Sequence, residues 1–368
     1  MNDSTLQNTP LLREHLDAGA RMVPFAGWNM PVRYTEGIIA EHNHTRSKAS
    51  VFDICHMGEI RVVGDDAPKA LDNIFPRPPS KQKKGDCKYN FLLTDRGTVI
   101  DDLIIYRIDD HEFLIVVNAS SKDADFARLA ELLPDSVTLR DESDATAKID
   151  LQGPESANVL EKLGIERSDM PGYYKWTNAN IAGTDIILSR TGYTGELGFE
   201  IYSPAEKATG IWQAITSFET VKPAGLGARD TLRLEMGYPL YGHELDTDTT
   251  PVEAGFGKML QLDDDRKFPG VEILRSRRKR KTLVGIALEG RRAAREGAEI
   301  FIDGEKAGTI TSGAFSPSLG KAVALAYIQA PDAPQVGTEV ETRDGRAQIP
   351  GAISHTPFAK NTSLRKTI

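Results

Sequence analysis

The spacing of apolar residues in the first two-thirds of the chain predicts β-strands separated by helices. Residues 59–63 alternate apolar and polar side chains, which is the two-residue period of a strand. Residues 66–71 begin with Asp66 and carry Pro68 in the first turn, as helices often do. By the same criteria we expect strands at 90–93, 99–105, 111–118, 148–152, 185–189 and 198–202, and helices at 36–42, 121–133 and 154–163.

A longer helix is predicted after the strand at 198–202. Residues 203–206, Ser-Pro-Ala-Glu, match a capping box with proline at the first helical position. Large apolar side chains then follow at helical spacing, namely Ile211, Trp212, Ile215 and Phe218. The pattern predicts a helix that starts at 203–206 and carries these side chains on one face.

The pattern becomes purely β in residues 282–368, with strands expected at 283–288, 299–302, 322–327 and 338–342. Asp-Gly pairs at 303–304 and 344–345 lie between apolar runs and predict hairpin turns. A small β-barrel or sandwich is the fold that this pattern favours. The preceding segment, 263–281, joins an acidic run to the basic run 277–281, and we interpret it as a solvated connector rather than an anion-binding patch.

The composition is that of a soluble globular protein. Of 368 residues, 40% are hydrophobic, and 45 Lys and Arg against 53 Asp and Glu give a net charge of −8. This length suggests two or three domains, and the aliphatic runs are too short for a membrane span. The negative charge argues against a nucleic-acid-binding protein. The first residues form neither a basic nor an apolar segment, so we expect no export signal.

Common cofactor and metal motifs are absent from the sequence. It contains no phosphate-binding P-loop, no HExxH and no CxxC, and its two cysteines cannot form a disulfide framework or a cysteine-rich metal site. The glycines of 192–198 follow the spacing G-x-x-G-x-x-G, which differs from that of dinucleotide-binding loops. The sequence therefore gives no support for a nucleotide cofactor.

Asp101 and Asp102 are adjacent acids within the strand predicted at 99–105. Adjacent strand residues point to opposite faces, so we expect only one of the two to enter a given pocket. A solvated pair at a strand end is an equally good interpretation. Alternatively, one carboxylate held against an apolar wall would have a shifted pKa and could serve in proton transfer.

Glu200 follows a glycine-rich segment, 190–198, that joins two predicted strands. A hairpin turn explains the glycines but not an acid that follows Phe199 in an otherwise apolar strand. Alternation puts Glu200 on the same face as Gly198 and Tyr202. A carboxylate there could accept two N–H donors from an amino-heterocycle.

Arg229 and Arg233 lie one turn apart on a helix predicted to begin after the glycines at 225 and 227. An exposed, salt-bridged helix would explain both residues. Alternatively, the two guanidinium groups could bind a dicarboxylate together.

An ordered series of motifs extends over nearly the whole chain. It comprises 52–59 (FDICHMGE), 97–103 (GTVIDDL), 116–119 (VVNA), 151–154 (LQGP), 190–196 (RTGYTGE), 225–235 (GLGARDTLRLE), 241–245 (YGHEL) and 311–320 (TSGAFSPSLG). Each motif is weakly specific by itself. The ordered set, from about residue 8 to about 366, resembles the aminomethyltransferase, or T-protein, family of the glycine cleavage system.

This resemblance implies an α+β fold in a three-domain clover-leaf arrangement, with two mixed α/β units of ferredoxin-like type and a C-terminal β-barrel. The domains would be 1–50 with 145–262 for folate binding, 51–144 as a second α+β domain, 263–281 as the connector and 282–368 as the barrel. The family transfers an aminomethyl group from the lipoyl arm of the H-protein to tetrahydrofolate, which releases ammonia and forms 5,10-methylenetetrahydrofolate.

The resemblance also implies tetrahydrofolate as co-substrate, the lipoylated H-protein as partner, and no metal, nucleic acid or membrane. The expected location is the bacterial cytoplasm, with the mitochondrial matrix as the alternative. Basic patches would suit an H-protein, which is typically acidic in this family.

Site residues are carried over by position in the matching motifs. The family's catalytic aspartate falls within Asp101-Asp102, and we favour Asp102 over Asp101. Its pterin-binding glutamate corresponds to Glu200, and its helix-start arginine corresponds to Arg229, which suits the folate tail carboxylates. Other family segments that border the folate channel contain Tyr89, Asn118, Tyr193 and Arg233.

Two other functions stay open at this point. One is a folate-dependent demethylase of a small methylated substrate, and the other is a folate-binding protein without catalysis. Thr362 and Ser363 stand where family members often carry aromatic residues. Because of this departure, the sequence leaves open whether the C-terminal tail contacts folate.

Overall fold

The computed structural model describes residues 6–368. Its strands are β1 (Gln7–Asn8), β2 (Arg21–Phe25), β3 (Trp28–Arg33), β4 (Ala49–Asp53), β5 (Gly58–Val63), β6 (Cys87–Leu93), β7 (Val99–Asp109), β8 (Glu112–Val117), β9 (Thr138–Asp141), β10 (Thr146–Gln152), β11 (Trp176–Ile181), β12 (Thr184–Ser189), β13 (Gly198–Pro204), β14 (Val221–Pro223), β15 (Thr282–Leu288), β16 (Glu299–Ile302), β17 (Glu305–Ser316), β18 (Lys321–Ile328), β19 (Glu339–Asp344) and β20 (Ala347–Ser354). Its helices are α1 (Leu12–Asp17), α2 (Ile38–Ser47), α3 (Ala67–Asp72), α4 (Lys122–Leu132), α5 (Ser156–Lys162), α6 (Ala208–Thr216), α7 (Leu226–Glu235) and α8 (Val271–Arg275). Among the helices of residues 6–368, none has both the length and the apolar composition that a membrane span requires.

A six-stranded sheet has the order β11-β12-β13-β10-β4-β14 and is antiparallel except for the parallel pair β4 and β14. One face is apolar, and its Ile149 and Ile201 share a core cluster with Trp212 of α6. The opposite face carries charged residues, and the register pairs Asp150 directly with Glu200. Both of these acids are buried.

A five-stranded antiparallel sheet, ordered β6-β7-β8-β5-β9, explains why that charged face is buried. Helices α3 and α4 cover one of its faces, where Leu71 and Leu129 join the core. On the other face, Tyr106 packs with Trp176 and Tyr202 of the six-stranded sheet. The two sheets therefore pack against each other across a partly polar layer. A small third sheet, ordered β1-β3-β2, lies near the N-terminus.

The six C-terminal strands close into a barrel, ordered β15-β18-β17-β16-β19-β20, because β15 pairs with both β18 and β20. The predicted hairpin turn between β16 and β17 has left-handed φ angles of 52° at Asp303 and 83° at Gly304, which an Asp-Gly pair tolerates well. The predicted fold class, two mixed α/β units with a C-terminal β-barrel, is confirmed. Strand β17 was not predicted from the sequence because it has few large apolar residues besides Ile310 and Phe315.

The helix predicted to start at 203–206 begins later. Strand β13 continues through Pro204, a 3-10 turn follows at Ala205–Lys207, and α6 starts at Ala208 without a side-chain cap. The Ser203 hydroxyl donates to the carbonyl of Pro204 rather than to a helix N–H. The capping-box prediction is therefore wrong, although the predicted apolar face of the helix is buried as expected.

The connector predicted at 263–281 is only partly solvated. Leu274 of α8 packs against Phe91 and Val99 of the five-stranded sheet. Gly97 and Gly270 allow this approach, since a Cβ on Gly270 would lie 2.2 Å from the Cα of Gly97. The basic run that follows is mostly exposed, as predicted. The domain boundaries given above stay a prediction.

Candidate active site

Glu200 lies on β13 within the buried polar layer. Its Oε2 accepts hydrogen bonds from the hydroxyls of Thr191 (2.7 Å), Tyr202 (3.2 Å) and Tyr106 (3.3 Å), and its Oε1 lies 3.5 Å from Nζ of Lys148. Burial disfavours the ionised carboxyl, but the Lys148 charge and the Thr191 bond outweigh it and lower the pKa of Glu200. Glu200 therefore stays an anion inside the protein.

Arg229, near the start of α7, joins this layer to a more open region. Its Nη1 donates to Oδ2 of Asp150 at 2.9 Å, and its guanidinium lies over the ring of Tyr193, 4.9 Å from the centroid. Burial raises the pKa of Asp150 to about 7, against the opposing charge of Arg229. Because 16% of the Arg229 side chain is exposed, part of the guanidinium remains accessible to a ligand.

Asp101 and Asp102 both contact Asn118, which follows β8. The Nδ2 of Asn118 donates to Oδ1 of Asp101 at 2.8 Å and to Oδ1 of Asp102 at 3.1 Å. Of the two acids, only Asp102 is partly exposed, as expected for adjacent strand residues that point to opposite faces. Even so, both carboxylates reach the side-chain amide of Asn118. A register shift between Leu92 and Leu93 interrupts the ladder opposite this pair and disturbs the simple alternation.

Asp102 has the environment of a proton-transfer group. It accepts a hydrogen bond from the Tyr89 hydroxyl at 2.8 Å. Burial, followed by the charge of Asp101, raises the pKa of Asp102 to about 7. A carboxyl group with that pKa can take up and return a proton near neutral pH. This environment favours Asp102 over the fully enclosed Asp101 as the acid that reaches a substrate.

Tyr89 and Tyr193 lie between the two ends of the predicted site. Burial, and after it the Asp102 carboxylate, raises the pKa of Tyr89. Tyr193 supports Arg229 on its ring, and its own pKa is raised by burial and by nearby Asp102. Both tyrosines are half-buried, like Asp102 and Arg229, as side chains at the border of an opening are.

Arg233, one turn after Arg229 on α7, lies near Tyr193 but is enclosed by protein groups. Its guanidinium is only 2% exposed and bonds to Asp230 (2.8 Å), Glu244 (3.0 Å) and Ser312 (2.8 Å). These bonds tie α7 to the loop that follows it and to the barrel. With its guanidinium engaged in these bonds, Arg233 is not placed beside Arg229 for the dicarboxylate clamp given above as one alternative, and its contact with folate stays a prediction.

Lys148 and Asp150 are site residues that sequence reasoning missed. They alternate on β10 with Ala147, Ile149 and Leu151 of the apolar core. The polar face of such a strand usually meets water. The sequence signal that could have identified them is a pair of opposite charges two residues apart on β10, next to the strand that carries Glu200.

The C-terminal tail returns toward the glycine-rich segment. The Arg365 guanidinium lies over the Tyr173 ring, 4.0 Å from the centroid, and Arg190 donates to the Lys366 carbonyl. Burial, and then the nearby charge of Arg365, lowers the pKa of Arg190. The buried Nε of Arg190 has no hydrogen-bond partner within residues 6–368. This pair of guanidinium groups is a candidate anion site, and only the return of the tail reveals it.

Two surface grooves lie outside this cluster. One, of about 520 Å³, is lined by residues of β11 and β12 such as Asn178 and Asp185. The other, of about 470 Å³, lies between α2 and the barrel and includes Ile39 and Phe315. Neither groove includes a residue of the predicted site.

Two family models together match most of the chain. The model described as the GCVT N-terminal domain matches residues 11–264. The model described as the glycine cleavage T-protein C-terminal barrel domain matches residues 281–360.

Full-length relatives agree with these models. The chain is 42% identical over 358 residues to an aminomethyltransferase of Rubrobacter xylanophilus, covering 96% of this chain and 94% of the relative. It is 43% identical over 364 residues to one of Deinococcus deserti, covering 97% and 98%. The crystal structure of glycine cleavage system aminomethyltransferase T from Bartonella henselae matches with a TM-score of 0.91 at 33% identity, covering 97% of this chain and 99% of that chain. The resemblance predicted from the ordered motifs is confirmed, and the chain belongs to the aminomethyltransferase family, the T-proteins of the glycine cleavage system.

Proposed function

We propose that this protein transfers the aminomethyl group from the lipoyl arm of an H-protein to tetrahydrofolate, releasing ammonia and forming 5,10-methylenetetrahydrofolate. Family membership supports the class of reaction. The site is assigned from the different pKa values of two acids. Lys148 keeps Glu200 ionised, whereas the pKa of Asp102 rises to about 7. Acids whose pKa values are set apart in this way suit one binding role and one proton-transfer role.

The surroundings of Glu200 fit the amino and ring N–H groups of a pterin. Three hydroxyls hold Oε2, so the carboxylate is fixed in orientation before a ligand arrives. A fixed anion forms strong, charge-assisted hydrogen bonds with paired N–H donors. Glu200 would therefore orient the ring and with it the reacting nitrogens.

Asp102 would handle the proton of the reaction. Two folate nitrogens each lose a proton as they bond to the methylene carbon, which breaks its bond to the amine, departing as ammonia, and its bond to sulfur, departing as the thiol of the reduced lipoyl arm. A carboxyl group with a pKa near 7 can accept the first proton and return it to the departing group. The bonds from Tyr89 and Asn118 would hold the carboxylate in place for this step.

Positive charge for the folate tail would come from Arg229, Arg190 and Arg365. Nearly parallel rings of Tyr193 and Tyr238, with centroids 5.9 Å apart, extend from Arg229 toward the tail. Guanidinium groups suit carboxylates by charge and by planar geometry. The sequence left open whether the C-terminal tail contacts folate, and this proposal includes such a contact.

The H-protein would be bound at least partly through charge. Arg277, Arg278 and Arg280, in the basic run interpreted above as a solvated connector, are exposed, and we propose that this basic surface also attracts the acidic partner. The cytoplasmic location and the absence of a metal from the reaction stay predictions.

The test supplies aminomethylated, lipoylated H-protein and tetrahydrofolate and measures ammonia and 5,10-methylenetetrahydrofolate in one reaction. We expect the two products in equal amounts, and neither when H-protein or folate is omitted. Turnover of a free methylated amine such as sarcosine, with no response to H-protein, would identify a demethylase instead. Folate binding without product from either donor would leave the non-catalytic function.

A further inference from the structure

Asp125 takes no part in the folate contacts proposed above, yet its side chain is fully enclosed. It lies in the first turn of α4 and is 0% exposed. Neither of its carboxyl oxygens accepts a hydrogen bond from an N–H or hydroxyl donor of residues 6–368. The Ser121 hydroxyl lies near both Asp125 and Asp101 and donates to the Asn118 carbonyl at 3.2 Å. Such a group needs another partner to be stable in the interior.

The group placed for this role is the carboxyl of Asp101, which is joined to the first turn of α4 through Asn118 and Ser121 and lies close enough to Asp125 for the two carboxyl groups to interact. Two buried carboxyl groups in contact cannot both ionise, so one of them keeps a proton. Asp101 accepts hydrogen bonds from the backbone N–H of Asn118 (2.9 Å) and from its Nδ2 (2.8 Å). The negative charge therefore belongs to Asp101 and the proton to Asp125. Consistent with this, burial and then the charge of Asp101 raise the pKa of Asp125 to about 10.

We propose that Asp125 is a positioning residue for the transfer reaction, because as a neutral acid it donates a hydrogen bond to Asp101 and so fixes the Asp101 carboxylate and the Asn118 amide behind Asp102. The inference rests on the proposed function. It has a consequence beyond geometry, since the charge held on Asp101 helps to raise the pKa of Asp102. Asp125 would thus help to set the pH range in which transfer proceeds.

Asp101, Asp102 and Asp125, here called the acid trio, face groups from several elements. Tyr89 of β6 donates to Asp102, and Tyr193 of the glycine-rich segment lies near it. Tyr241, in the loop after α7, has a pKa raised to about 12 by burial, then by Asp101 and Asp125, and less by Asp246 and Asp102. The cations of α4 are paired elsewhere, Arg128 with acids at 95 and 131 and Lys122 with the acid at 141.

The test compares Asp125→Asn, which keeps an N–H donor, with Asp125→Leu, which has similar size and no donor. Single-turnover transfer from aminomethylated H-protein is measured from pH 5 to pH 9. In Asp125→Leu, Asp101 loses a donor and takes up a proton, so its charge no longer opposes ionisation of Asp102. We expect the acid limb of the rate profile to move down by about one pH unit or more in the Leu variant and to stay in place in the Asn variant. Exposed Asp123, replaced by Asn, is the matched control on the same turn.

A second measurement does not depend on the Leu variant being folded. The native state keeps a proton on Asp125 that the unfolded chain releases above its ordinary pKa near 4, so this residue costs the wild type stability as pH rises. The melting temperature of Asp125→Asn should therefore gain on the wild type between pH 5 and pH 8. A difference that is independent of pH, or a Leu variant whose acid limb matches the wild type, would overturn the inference. A wild type that transfers nothing would refute the proposed function instead, and the melting comparison would still decide whether Asp125 is neutral.

Discussion

Replacing Glu200 with glutamine should weaken tetrahydrofolate binding without any direct change at the reacting atoms. Glutamine keeps one acceptor oxygen, but its NH2 group stands where a carboxylate oxygen would face the pterin. A hydrogen bond to a charged group contributes about 1.5–3 kcal/mol and a neutral one about 1 kcal/mol. Losing one charged acceptor (about 1.5–3 kcal/mol) and neutralising the other (about 0.5–2 kcal/mol) should thus cost about 2–5 kcal/mol, which is about 30- to 5,000-fold in Kd.

The assay is calorimetric titration with tetrahydrofolate under argon. Glu206→Gln, an exposed acid just after β13, is the control and should bind like the wild type. Glu200→Gln also leaves Lys148 buried beside a neutral group, and breaking such a pair costs about 3–5 kcal/mol of stability. The double variant Lys148→Met/Glu200→Gln should recover much of this stability without recovering affinity. Wild-type affinity in a folded Glu200→Gln protein would refute the pterin-binding role.

Three further predictions concern charge around the site. In Lys148→Met, Glu200 loses the cation that lowers its pKa, so its carboxylate should take up a proton as the pH falls. Folate affinity of this variant should therefore fall between pH 8 and pH 6, while that of the wild type changes little. Parallel pH profiles of the two proteins would contradict this. Arg365→Met should weaken binding of tetrahydrofolate about tenfold but leave tetrahydropterin, which lacks the glutamate tail, unaffected; equal losses for both ligands would exclude a tail contact. The KM for H-protein should rise with NaCl, and less steeply in Arg278→Ala; a salt-independent KM would argue against docking through charge.

Part of this site could be predicted from the sequence because it depends on local periodicity. Alternation along β13 put Glu200 and Tyr202 on one face, and the hydrogen bond between them agrees. The same rule failed to identify Lys148 and Asp150, because alternation distinguishes an apolar face from a polar one and not a wet face from a buried one. Only the packing of one sheet on the other encloses their charges.

The remaining departures also come from contacts between distant segments. Helical spacing placed Arg229 and Arg233 on one face, but Asp150 pairs with the first, whereas Glu244 and the barrel residue Ser312 bind the second. From the sequence alone, Asp125 is an ordinary acid in the first turn of a helix, where the helix dipole favours negative charge. Its contact with Asp101 becomes visible only in three dimensions.

The most direct test of the central claim is the Asp102→Asn variant, measured in one preparation for single-turnover transfer and for tetrahydrofolate affinity. In the proposed reaction, Asp102 transfers the proton and Glu200 binds the ring. We therefore expect transfer to fall by about 10²- to 10⁴-fold, the usual contribution of a general acid–base group, while the Kd for folate is unchanged. Transfer at the wild-type rate in this variant, or a loss of binding that accounts for the whole loss of rate, would contradict this assignment.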